Sequence, residues 1–74
     1  MAEKIDYGDA VEVRLDAPIK YHPGAGGSTC GFRVVRSDYE ANAVAEPVGT
    51  PLWLVELPNG ESFEIPERFL RKVG

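Results

Sequence analysis

Asn59-Gly60 stands between two runs of alternating apolar residues, and no other feature limits the possible folds of this chain as strongly. Upstream, Leu52 to Leu57 puts Trp53, Val55 and Leu57 on one face, with Leu54 and Glu56 on the other. Downstream, Glu61 to Ile65 sets Phe63 and Ile65 against Ser62 and Glu64. Asn-Gly favours a type I′ turn, whose positive φ angles match the twist of paired strands. The two runs are therefore expected to form a hairpin, supplying the third and fourth strands.

The rest of the chain is punctuated in the same way. Val11, Val13 and Leu15 alternate with Glu12 and Arg14, the period of a half-buried strand. Asp16-Ala17-Pro18 ends or bends it, and Ile19-Lys20-Tyr21 reads as a short extension before Pro23. Pro23 to Ser28, rich in glycine, reads as a loop, because glycine loses too much entropy inside an element. Cys30 to Arg36 is expected to be the second strand, with Phe32 and Val34 on one side and Arg33 and Val35 on the other. Ser37 to Glu40 fits a capping box, so the Ser37–Pro51 connection is expected to be a long loop with one helical turn. Pro66 to Leu70 fits a turn of 3₁₀ helix, and Arg71 to Val73 a last short strand. Five strands in this order, with a 3₁₀ turn before the last, are expected to make a single all-β domain of SH3-like barrel type over residues 1–74, with 1–7 a loose N-terminal segment.

Charge and cysteine content narrow the function. A chain of 74 residues buries only about 60% of its unfolded surface. Cys30 is the only cysteine, which excludes an internal disulfide and a thiolate metal cage and points to a reducing, cytoplasmic compartment. Met1 to Asp9 is charged, unlike an export signal, and no run is long enough to span a membrane. Eight basic against twelve acidic residues give a net charge of −4, the wrong sign for nucleic acid. The only basic cluster, Arg68, Arg71 and Lys72, is diluted by Glu67.

No catalytic constellation emerges. Gly24, Gly26 and Gly27 lack the lysine of a phosphate loop. His22 and Cys30 are single residues, whereas nucleophilic catalysis needs a base and an orienting acid, and a metal needs several converging ligands. Glu61, Glu64 and Glu67 read as solubility groups on a solvent-facing strand and its exit. The aromatics Tyr7, Tyr21, Tyr39, Trp53, Phe63 and Phe69 exceed what one small barrel must bury. Phe63 and Phe69 are expected in the core and Trp53 half in it, while Tyr21 and Tyr39 lie on or beside loops, where tyrosine anchors partners. No cofactor, metal site or catalytic residue is expected.

Gly8-Asp9-Ala10-Val11-Glu12-Val13, Tyr21-His22-Pro23 at the first bend, Pro51-Leu52-Trp53-Leu54-Val55 and Pro66-Glu67-Arg68-Phe69-Leu70 together resemble the variable (alpha) chain of ferredoxin–thioredoxin reductase, over roughly residues 8–73. The resemblance implies an SH3-like barrel without its own cofactor, an accessory subunit packed against a catalytic partner that carries an iron–sulfur cluster and a redox-active disulfide. It makes the Tyr21-His22-Pro23 bend an interface loop. The expected function is a non-catalytic subunit that binds and orients a redox partner, with Tyr21, His22, Pro23, Tyr39 and Trp53 at the contact. The alternatives are a free-standing peptide-binding module and, behind it, a nucleic-acid-associated barrel.

Overall fold

The structure, a computed structural model, describes residues 4–73. Five antiparallel strands form one sheet: β1 (Ala10–Val13), β2 (Gly26–Val34), β3 (Pro51–Glu56), β4 (Ser62–Pro66) and β5 (Leu70–Lys72), in the order β4-β3-β2-β1-β5. A 3₁₀ turn, Glu67–Phe69, joins the two outermost strands. This is a compact all-β fold with the strand order of a small SH3-like barrel. Alternation along the strands builds the core as expected: Val11 and Val13 of β1, Trp53 and Val55 of β3, Ile65 of β4 and Leu70 of β5 share one buried cluster. Full burial of each such aliphatic side chain contributes about 1.5–3 kcal/mol over exposure. Leu52 lies on the opposite face of β3 and is buried with Val35 and Pro66. On that face Arg33 of β2 donates to Glu64 of β4 and, at 2.8 Å, to Glu40 of the helix α1 (Asp38–Val44).

Several local expectations are corrected. The hairpin exists, but its turn is not type I′. Only Gly60 has a positive φ, at 89°, and the Gly60 N–H donates to the Leu57 carbonyl at 3.0 Å. Pro58 explains the change: its ring fixes φ near the value wanted at the second position of a type I turn, so Gly60 follows as a left-handed residue in a three-residue loop. Glu61 N–H then closes on the Asn59 side chain at 3.0 Å.

Leu15 is not in the first strand. The Ala17 N–H donates to the Arg14 carbonyl at 3.1 Å, and this turn swings Leu15 into solvent. Ile19–Tyr21 is a 3₁₀ turn rather than an extension, closed by Tyr21 N–H on the Pro18 carbonyl at 2.9 Å. The glycine-rich segment is strand, not loop, from Gly26 onward. At Gly27 a Cβ would run into the Glu56 carbonyl and approach Val55 Cγ1 to 2.8 Å, so the missing side chain lets β2 and β3 meet. A bulge at Cys30 then resets the register between Thr29 and Gly31.

Ser37 caps α1 as expected, its Oγ accepting from Glu40 N–H at 3.2 Å. The helix runs seven residues, nearly two turns, and ends at Ala45 in the left-handed region. Glu40 does not close the box on the Ser37 backbone, turning instead to Arg33 and the Ser37 hydroxyl. Of the segment expected to be loose, residues 1–3 lie outside the described ones. The remainder is pinned: Ile5 is buried, Thr29 Oγ1 donates to the Asp6 carbonyl at 2.6 Å, and Gly8 N–H donates to the Thr29 carbonyl at 2.8 Å.

Candidate functional site

Trp53 lies within β3, paired with Phe32 of β2 on one side and Ile65 of β4 on the other. Its indole is 4% exposed, and its N–H donates to Glu67 Oε2 at 2.8 Å. Two rings rest on it. Phe32 packs against it at 4.7 Å between centroids, and Tyr7, carried over it by the pinned N-terminal segment, meets it edge-on at 5.3 Å. Tyr7 remains 62% exposed and Phe32 41%. A buried indole thus supports two solvent-facing rings, a continuous aromatic shelf. Aromatic contacts of this kind add about 0.5–1.5 kcal/mol beyond area burial.

The shelf adjoins a cleft of about 360 Å³. Its apolar lining comes from Ile5, Pro51 and Leu70, and its charged edge from Lys4, Arg14 and Arg68, with Glu67 as the single acid. Glu67 joins the two regions, since its carboxylate also receives the Trp53 indole N–H. Pro51 lies two residues before Trp53 on the same face of β3.

Tyr21-His22-Pro23 divides by side chain. Tyr21, expected to face a partner, is buried, and this corrects its placement. Its ring packs on Phe69 at 5.7 Å, and its hydroxyl donates to Glu46 Oε2 at 2.7 Å. Burial first, and then the neighbouring carboxylate, push the Tyr21 hydroxyl up to about 12. Arg68 donates to the other Glu46 oxygen at 2.6 Å. Burial alone would raise the Glu46 carboxyl, but the donors Tyr21 and Arg68 outweigh it and hold the group below its ordinary value. This knot ties the β1–β2 connection, the α1–β3 connection and the 3₁₀ turn before β5 together.

His22 is exposed at a backbone φ of 60°, its ring 4.2 Å from that of Phe63. Pro23 is half-buried beside it. A left-handed conformation in a residue other than glycine is strained by about 1–3 kcal/mol. Two hydrogen bonds hold it, His22 N–H to the Ile19 carbonyl and Ala25 N–H to the His22 carbonyl, both at 3.0 Å.

Tyr39, on α1, is 84% exposed and packs on no other ring among the described residues. Of the five residues expected at a contact, His22, Pro23 and Tyr39 present surface, whereas Tyr21 and Trp53 are buried. Trp53 is core rather than half core. Glu64 and Glu67, read as solubility groups, are hydrogen-bonded to Arg33 and Trp53. The Arg33 guanidinium holds the Glu64 carboxyl below its usual range. Cys30 is exposed on its bulge, with Sγ 3.5 Å from the Leu54 carbonyl, while His22 is engaged with Phe63. Among the described residues no group of three His, Cys, Asp or Glu side chains is placed to hold a metal ion, and no helix is long and apolar enough to cross a membrane.

The sequence offers Tyr7 as a surplus aromatic but in a segment expected to be loose, and it offers Phe32 only as one face of the second strand. The signal for Phe32 was its register opposite Trp53 across β2 and β3, which the bulge at Cys30 concealed. No protein-family model, curated protein or solved structure matches the chain.

Proposed function

We propose that this chain is a non-catalytic binding subunit that docks a protein partner on the Tyr7–Trp53–Phe32 shelf, with His22 and Pro23 of the first bend and Tyr39 as further contact points. The exposed pair Tyr7 and Phe32, fixed on a buried indole, carries this reading. Large, rigid aromatic side chains with one polar tip dominate binding energy at protein interfaces, and a small number of them suffices. A specific interface covers about 800 Å² on each side, against a total surface of 4814 Å² here. The resemblance to the variable chain of ferredoxin–thioredoxin reductase makes a cytoplasmic iron–sulfur catalytic subunit the first partner to test. In that role the barrel would orient the partner, and the redox chemistry would belong to the partner.

The test is co-expression with such a subunit, followed by size-exclusion chromatography at micromolar concentration. Co-elution is expected. Replacing Tyr7 and Phe32 together by serine is expected to weaken association at least about tenfold. Both rings face solvent, so the variant's circular dichroism is expected to match that of the parent protein. Separate elution of the unaltered proteins removes the redox assignment. Co-elution that the double replacement does not weaken removes the shelf.

A further inference from the structure

The cleft beside the shelf is lined by more cations than carboxylates, although the molecule as a whole is acidic. The chain as a whole carries −4. Within the cleft, Lys4, Arg14 and Arg68 face a single carboxylate, Glu67, whose Oε2 accepts the Trp53 N–H. Arg14 and Arg68 each share one carboxylate from outside, Asp16 at 3.1 Å and Glu46 at 2.6 Å. Their side chains nevertheless stay half exposed, leaving further N–H groups to donate. Lys4 makes no ion pair among the described residues. It lines the cleft together with the apolar residues Ile5, Pro51 and Leu70. Cations around an apolar floor, next to exposed aromatic rings, suit a carboxylate carried between apolar side chains.

We infer that the cleft receives an acidic peptide segment of the partner, its carboxylate among Lys4, Arg14 and Arg68 and its flanking apolar side chain on the Tyr7–Phe32 shelf. This rests on the reading of the chain as a protein-binding subunit and names the chemistry of what it binds. The interaction is local. At long range the net charge repels an acidic partner, so selection arises only at contact, where facing charges are partly desolvated and like charges cost several kcal/mol. Nucleic acid does not fit as well: three cations neutralise few phosphates, and the surrounding surface is acidic.

Trp53 is the only tryptophan, and its indole N–H ends on a cleft residue, so its emission reports occupancy directly. Three short synthetic peptides are titrated against the full chain at low ionic strength. All contain leucine and phenylalanine, interleaved with aspartate, lysine or serine respectively, and a single-stranded oligonucleotide forms a fourth arm. Net charge favours the lysine peptide, whereas the cleft favours the aspartate one. The expected result is a saturable change in emission with the aspartate peptide, at least about tenfold tighter than with the lysine peptide. Lys4→Glu is expected to weaken the aspartate peptide about tenfold, and Arg36→Glu, the same charge change outside the cleft, less than about twofold.

Equal or tighter binding of the lysine peptide overturns the inference. So do equal effects of the two replacements, tighter binding of the oligonucleotide, or no saturable response to any peptide. If the serine peptide binds as well as the aspartate peptide, and Phe32→Ser weakens both, the acidic specificity falls while the shelf survives.

Discussion

Glu46 is a carboxylate withdrawn from water, and such a charge is tolerated only when fully hydrogen-bonded. Both its oxygens are engaged, one by the Tyr21 hydroxyl and one by Arg68, and no buried side-chain polar atom among the described residues lacks a partner. Removing one donor leaves part of the charge uncompensated, and bonds to charged groups are worth about 1.5–3 kcal/mol. Tyr21→Phe is therefore expected to lower unfolding stability near neutral pH by that amount, measured by urea denaturation. The variant should also behave differently in alkali. Folding raises the Tyr21 pKa from 10.0 to about 12, so its neutral form is favoured in the folded state. That contribution is complete below pH 10 and is lost as pH rises through about 12. Wild type is expected to lose stability across this window by an increment that the phenylalanine variant does not show. Matching alkaline profiles for the two proteins would mean that the Tyr21 hydroxyl is not held by Glu46.

The strand β2 shows how a single backbone requirement shapes an element. Gly27 sits where any side chain would strike the β3 backbone at Glu56. The obstacle is a carbonyl in a paired strand, which has no rotamer by which to move aside. Gly27→Ala is expected to destabilise by about 1–3 kcal/mol, the usual range for overpacking a tight contact. Gly26→Ala, where a Cβ meets nothing closer than 3.8 Å, is expected to change stability by less than about 0.5 kcal/mol. Equal thermal midpoints for the two variants would sink this account. The same contrast explains what the sequence disclosed. Alternation at Val11 and Val13, at Trp53 and Val55, and at Phe63 and Ile65 reflects burial of one face, and it located strands and core. The Ser37 cap was equally readable, because a hydroxyl bonding a helix N–H three residues on is a local event. Elements shaped by distant partners were not. Gly26 and Gly27 look like loop until β1 pairs with them, and Tyr21 looks like surface until Glu46 arrives from twenty-five residues away. The aromatic shelf belongs to the second kind, assembled from Tyr7, Phe32 and Trp53 across three separate segments.

At the scale of the whole molecule, carboxylates paired on folding make stability depend on pH, and acid should expose it. Folding lowers the pKa of Glu46 and of Glu64 from the ordinary value of 4.5, through Tyr21 and Arg68 at one and Arg33 at the other. Below that value the unfolded chain binds more protons than the folded one, so stability rises with pH there. Both contributions are complete above about 4.5 and disappear as pH falls through the lower folded values. Glu64 is about one-third exposed and its share is screened, within about 1 kcal/mol. Glu46 is buried, and its charge is held by Tyr21 and Arg68. The urea midpoint of the wild type is expected to hold steady from about pH 7 to 5 and then fall steeply toward about pH 3. Glu46→Gln should start from lower stability at neutral pH and decline less in acid, because one proton-linked step has been removed. Acid also turns the net charge from negative to strongly positive, and that repulsion destabilises the fold independently. Added salt separates the two effects: it screens repulsion between exposed charges but scarcely reaches a buried carboxylate. If about 0.5 M salt restores the acid midpoint to its neutral value, repulsion accounts for the whole loss and the Glu46 knot for none. A loss that persists in salt and shrinks in Glu46→Gln assigns it to the buried Glu46 charge that ties the barrel's connections together.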